Sequence, residues 1–175
     1  MIALTAAAWF SLPAHAQTAV YLDFTATNPD NWIYGGTAGF YHDPWHLFAA
    51  EAGVDARVSY LGNGQTPDTP RVYGVTAGPR LAFHPHILPI TPYAEVLAGF
   101  GHVRIGGANQ GNFEYQVVGG IDLKIISRLD WRFFDFAYTG YPGLNAGYSP
   151  YYPYADHGSS FSPKMLSTGL VLRLP

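Results

Sequence analysis

Between residues 47 and 60 the chain reads LFAAEAGVDARVSY, and from Glu51 onward polar and apolar residues alternate one by one. Glu51, Gly53, Asp55, Arg57 and Ser59 fall on one side, with Ala50, Ala52, Val54, Ala56 and Val58 on the other. A period of two means an extended strand whose two faces differ. Three charges on one face weigh heavily in a chain that is only 12% charged. A soluble sheet turns its charges to water and its apolar face to a core. A membrane barrel does the reverse, with lipid outside and polar groups inside. How the other segments sort their charges decides between the two.

Turn-forming residues cut the chain into eight segments of the length a tilted membrane strand needs. They are 18–27, 32–42, 47–62, 70–84, 90–106, 113–126, 129–140 and 162–174. The links are 28–31, 43–46, 63–69, 85–89, 107–112, 127–128 and a long 141–161. Short links join antiparallel neighbours, so the order is a meander.

The same face assignment works along most segments. Tyr115, Val117, Ile121, Leu123 and Ile125 oppose Gln116, Val118, Asp122 and Lys124, while Tyr73, Val75, Ala77, Leu81 and Phe83 oppose Gly74, Thr76 and Arg80. Ala94, Val96, Ala98 and Phe100 oppose Tyr93, Glu95 and Leu97, and Leu166, Leu170, Leu172 and Leu174 oppose Ser167 and Arg173. Segment 32–42 is apolar or Gly on both faces, which leaves its register open. In 129–140 strict alternation separates Arg132 from Asp135, and a bulge near Phe133-Phe134 would bring both inward. Pro79 cannot donate to a ladder, so a bulge or weakened pairing is expected there.

Collected, the polar face carries Glu51, Asp55, Glu95 and Asp122 against Arg57, Arg80, Lys124 and Arg173, with Asp23, Glu114 and Arg132 as further candidates. The four acids balance the four bases. An eight-stranded barrel has an interior only wide enough for side chains, and buried charges are tolerated when paired. The expectation is an ionic lumen that is filled rather than open.

Composition agrees and excludes other classes. At 175 residues the chain suits one domain or a small closed barrel. A net charge of −3 argues against a nucleic-acid partner. No internal apolar run reaches the ~18 residues of a membrane helix, and without cysteine no disulfide supports the fold. Residues 1–16, with an apolar run, Pro13 and the triplet Ala14-His15-Ala16, read as a secretory signal ahead of a single domain over 17–175. Aromatic residues make up 16% of the chain, and many lie near segment ends, as membrane-interface girdles require.

Gly78-Pro79-Arg80, Pro92-Tyr93-Ala94 leading to Gly99-Phe100-Gly101, Gly119-Gly120-Ile121-Asp122 and the closing run 167–174 together resemble the small eight-stranded outer-membrane β-barrels. These include the transmembrane domain of outer-membrane protein A and the opacity-type surface proteins. The resemblance implies an all-β, eight-stranded antiparallel up-and-down transmembrane barrel in the bacterial outer membrane. It also implies lipopolysaccharide around the barrel, no cofactor, and a closing strand read by the barrel-assembly machinery through Gly169, Leu170, Leu172 and Leu174. With the N-terminus on the periplasmic side, the long link 141–161 is external.

Candidate chemistry is sparse. His42 with His46, and His84 with His86, sit in expected turns, where a metal site would need further ligands; polar turn residues are the plainer reading. His102 has no serine motif beside it and points toward lipid, so inventory gives no triad. Gly99-x-Gly101 precedes no helix and lacks a phosphate-cradling geometry. Arg104, on the outward phase near the external rim, suits a lipopolysaccharide phosphate or a snorkelling rim charge. Tyr148, Tyr151, Tyr152 and Tyr154 in the long loop suit an extracellular binding surface or a lid over the mouth. The expected role is non-enzymatic: envelope structure or surface interaction and adhesion through external loops. A narrow pore or lipocalin-like carrier, and a membrane-embedded lipid hydrolase or protease, are the competing readings.

Overall fold

The structure, a computed structural model, describes residues 17–27, 32–62, 71–85, 87–105, 108–145 and 160–175. The expected signal 1–16, His86 and the loop tyrosines Tyr148, Tyr151, Tyr152 and Tyr154 lie outside the described residues. The strands are β1 (Gln17–Thr27), β2 (Ile33–Leu47), β3 (Ala50–Leu61), β4 (Arg71–Phe83), β5 (Ile90–Ile105), β6 (Ala108–Ile126), β7 (Leu129–Asn145), β8 (Ser160–Phe161) and β9 (Lys164–Arg173). Each pairs antiparallel with the next from β1 to β7, β7 pairs with β9, and β9 returns to β1. Eight long strands therefore close an up-and-down barrel with no open edge, while the two-residue β8 pairs with the end of β7.

The polarity is inside-out. Leu22, Phe24, Val54, Val75, Leu81, Val96, Phe100, Val117 and Leu170 are exposed, while Asp23, Asp55, Arg57, Arg80, Glu95, Asp122 and Arg132 are buried. Water would reward the opposite arrangement, so the apolar outer belt faces hydrocarbon. Aromatic side chains border it: Trp32, Tyr34 and Phe24 stack in sequence at the long-loop end, and Trp131 meets Phe133 edge to face near the short-turn end.

Local features depart from a regular ladder at several points. β2 runs through 43–46 instead of ending at a turn, because a register shift between His42 and Trp45 absorbs Asp43 and Pro44. The turn falls at Phe48-Ala49, where Phe48 takes a left-handed φ of 57°. The expected bulge in β7 lies between Arg132 and Asp135, and it turns both side chains inward with Phe133 and Phe134 outside. At Pro79 the register is kept, but the β4–β5 ladder lapses between Ala77–Ala98 and Arg80–Glu95. The ladder is weakened there without a bulge, since the outward-facing Pro79 lacks only its donor.

The lumen is layered. A mouth at the short-turn end holds Glu51, His84 and Arg173. Above it lies the ionic core, then a run of hydroxyls from Ser167 through Thr25 and Thr37 to Ser59, linked at 2.8–3.0 Å. Toward the long-loop end Ile33, Leu61, Val72, Val103 and Met165 form an apolar collar.

Candidate functional site

Three arginines organise the ionic core, each held by strands that place its side chain on the inward phase. Arg57 reaches Glu95, Asp55 at 3.3 Å and Asp135 at 3.5 Å. Arg80 meets Glu95 at 2.7 Å, Asp43 at 3.2 Å and Asp122 at 3.9 Å. Arg132 meets Asp122 at 3.0 Å, Asp23 at 3.2 Å and Asp135 at 3.9 Å. Glu95 is thus shared by Arg57 and Arg80, Asp122 by Arg80 and Arg132, and Asp135 by Arg57 and Arg132. The sharing joins them into one continuous network.

Tyrosine rings fill the space between the guanidinium groups. Arg80 lies 4.1 Å from the Tyr41 ring centre and 4.3 Å from that of Tyr93, and Arg132 stacks over Tyr21 at 4.0 Å. The Tyr21 hydroxyl donates to Asp55 at 2.9 Å and that of Tyr93 to Asp135 at 2.7 Å. Gly39 and Gly120 make room, since a Cβ at either would overlap the Tyr21 or Tyr93 ring.

Of the eight residues expected in the lumen, Asp55, Arg57, Arg80, Glu95 and Asp122 meet in this core. Glu51 and Arg173 sit at the short-turn mouth, where Arg173 pairs with Asp130. Lys124 lines the same mouth but is exposed, and it forms no ion pair within 4 Å among the described residues, so it stands outside the paired network expected to hold it. A register shift between Lys124 and Ile126 ends the strict alternation of β6 there. Asp23, Glu114 and Arg132 all face inward. Asp43, Asp130 and Asp135 also enter, so the four-against-four balance does not hold. Among the described residues nine carboxylates (Asp23, Asp43, Glu51, Asp55, Glu95, Glu114, Asp122, Asp130 and Asp135) share the lumen with four arginines and two histidines. Asp43 is hidden in the sequence by its Pro44 neighbour, which reads as a turn.

The histidines regroup across turns. His46 Nδ1 lies 2.9 Å from one Glu51 oxygen and His84 Nδ1 3.2 Å from the other, whereas His42 bonds Thr18 at 2.8 Å. No group of three or more His, Cys, Asp or Glu among the described residues is arranged to hold a metal ion. His84 lies just past β4, outside the spanning strands. Burial, then the positive charges of Arg173 and Arg80, push its imidazole from 6.5 down to about 4. Because the folded value is the lower one, the unfolded chain takes up the proton first. The stability that neutral His84 provides is complete above pH 6.5 and is lost as pH falls toward 4. Unfolding in detergent should therefore show stability falling across that window, and falling less in His84→Asn; identical pH slopes in both proteins would contradict it.

On the outer face His102 stacks on Tyr73 at 5.1 Å, and Arg104 stands opposite Arg71 in the β4–β5 register. His102 is exposed there, away from the lumen carboxylates.

A closed eight-stranded barrel with an apolar belt and a filled ionic lumen defines the class: a small membrane-spanning β-barrel of the bacterial outer-membrane type. Neisserial surface protein A is similar over 91% of this chain and 97% of its own, at 13% identity and a TM-score of 0.55. Ail, the attachment invasion locus protein of Yersinia pestis, matches over 91% and 97% at 13% identity with a TM-score of 0.53. A major outer membrane protein from Thermus thermophilus matches over 91% and 100% at 12% identity and 0.54. At such identities the likeness is one of fold. No family model matches the chain, and no curated protein matches it.

Proposed function

We propose that this chain is a non-enzymatic surface protein of the bacterial outer membrane, acting in adhesion or surface interaction through its external loops. The observation that carries the reading is the filled lumen. Arg57, Arg80 and Arg132, with their carboxylates and the rings of Tyr21, Tyr41 and Tyr93, occupy the cross-section. A barrel closed in this way works at its rim and loops. The fold it shares with Ail, whose name describes attachment and invasion, supports the same reading.

The link 146–159 between β7 and β8, with Tyr148, Tyr151, Tyr152 and Tyr154, is the proposed contact surface for an extracellular partner. Arg104 and Arg71 face the outer-leaflet rim, and none of the described carboxylates lies on that outer face, so lipopolysaccharide phosphate is the fitting counter-charge. The closing strand β9 is the segment offered to the barrel-assembly machinery.

Cells displaying the protein should bind an epithelial cell layer or extracellular matrix more than cells without it, and replacing 146–159 by a Gly/Ser segment should abolish the gain. Binding that survives the replacement removes the loop from the reading. In planar bilayers the purified barrel should give no large steady current, and stable conductance would favour the pore instead.

A further inference from the structure

The mouth at the short-turn end is a cavity of about 570 Å³, within the range of small-ligand sites. Backbone hydrogen bonds fix its wall. His84 N–H donates to Ala49 O at 2.6 Å, which joins the β4–β5 turn to the β2–β3 turn, and Lys124 N–H donates to Pro89 O at 2.8 Å, which ties in the end of β6. Two charges lining this cavity are left open. Glu51 meets His46 and His84 but no lysine or arginine within 4 Å, and Lys124 meets no carboxylate within 4 Å, among the described residues. Arg173 is already committed to Asp130. With its amide oriented to satisfy both neighbours, Gln17 donates to Glu51 Oε2 and accepts from Arg173 Nε, each at 3.2 Å, and so holds the Glu51 side of the cavity in place.

The lip of the same cavity is apolar. Phe48 is 97% exposed and Ile87 93%, with Leu88 also exposed beside them. Phe48 holds its φ of 57° at the first position of a two-residue hairpin turn, a place that glycine fills without strain. An aromatic ring kept there, and an isoleucine on the next short turn, suit contact with hydrocarbon. Short turns of an outer-membrane barrel lie at its periplasmic end, so the hydrocarbon within reach is that of the inner leaflet.

We propose that this mouth binds one inner-leaflet glycerophospholipid with a zwitterionic phosphoethanolamine headgroup. Its phosphate lies at Lys124, its ammonium at Glu51, and its glycerol and first acyl carbons against Phe48, Ile87 and Leu88. A free phosphate would answer Lys124 but bring a second negative charge toward Glu51, and a purely anionic lipid would do the same. The zwitterion answers both open charges, and its hydrocarbon covers the apolar lip. The site lies at the opposite end of the barrel from 146–159, so it does not depend on the adhesive reading.

The test is native mass spectrometry of the full chain, released from micelles doped with equal amounts of phosphatidylethanolamine and phosphatidylglycerol of the same acyl chains. The wild type should retain one phosphatidylethanolamine in preference to phosphatidylglycerol by at least about threefold. Lys124→Gln should lower the retention of both lipids, whereas Glu51→Gln should erase the preference and leave phosphatidylglycerol bound. Lys124 is exposed, so its variant keeps the fold and carries the test if Glu51→Gln does not fold. Phe48→Gly relieves the turn and removes the ring, so it should resist unfolding at least as well as the wild type and yet hold less lipid. A wild type that retains both lipids equally overturns the proposal, as does retention unchanged by Lys124→Gln. Displacement of the lipid by an equal concentration of soluble glycerophosphoethanolamine would overturn the lipid as the source of the headgroup, and displacement by a peptidoglycan stem peptide would assign the mouth to the cell wall instead.

Discussion

Replacing Arg132 by methionine should destabilise the folded barrel by about 3–5 kcal/mol, the cost of leaving buried partners of a charge unpaired. Arg132 is 0% exposed, and among the described residues it alone connects Asp23 on β1 with Asp122 on β6 and Asp135 on β7. Methionine keeps most of the volume over Tyr21 and Tyr93, so the loss reports the electrostatics rather than a cavity. The lumen already holds more carboxylates than cations, and removing one guanidinium widens that excess. Arg132→Lys should recover part of the loss, because an ammonium keeps the charge but cannot offer the planar fork that reaches Asp122 and Asp23 together. Urea unfolding and refolding in micelles, with folded and unfolded bands separated by gel mobility, measures both. A methionine variant within about 1 kcal/mol of wild type would show that the network is not what holds the interior.

Much of this architecture is legible because period two leaves each strand a single choice of face. Asp55 and Arg57, Arg80, Glu95 and Asp122 fall on one phase of their strands, and the structure puts all five inside. What alternation cannot show is where the phase slips. Asp43 enters through the shift in β2, while Lys124 keeps its phase and is exposed only because it lies at the mouth. Asp135 is reachable only by allowing a bulge at Phe133-Phe134, where two adjacent aromatic residues cannot both point inward beside Arg132. Pairing between distant strands is also invisible in the sequence. Nothing in the spacing of His46 and His84 brings both to Glu51.

Val54→Arg should cost about 2–4 kcal/mol in a lipid bilayer, and this tests the outer face as directly as Arg132 tests the inner one. Val54 lies near the middle of β3, 49% exposed, opposite His42 on β2 and Pro79 on β4. No carboxylate of the described strands shares that outer face, so an arginine there would have neither water nor a counter-ion near the bilayer centre. Tyr60, on the same strand face toward the long-loop end and 53% exposed, supplies the control. Tyr60→Arg places the same charge near the interface, where the penalty falls to about 0–1 kcal/mol. In a barrel surrounded by water both substitutions would be surface changes worth about 0.5 kcal/mol or less, with no dependence on height. Folding equilibria measured in phospholipid vesicles therefore separate the two environments by a gradient rather than by a single value. Equal and small losses at Val54 and Tyr60 would mean that the apolar belt does not meet lipid, and the inward charges would then need a different explanation.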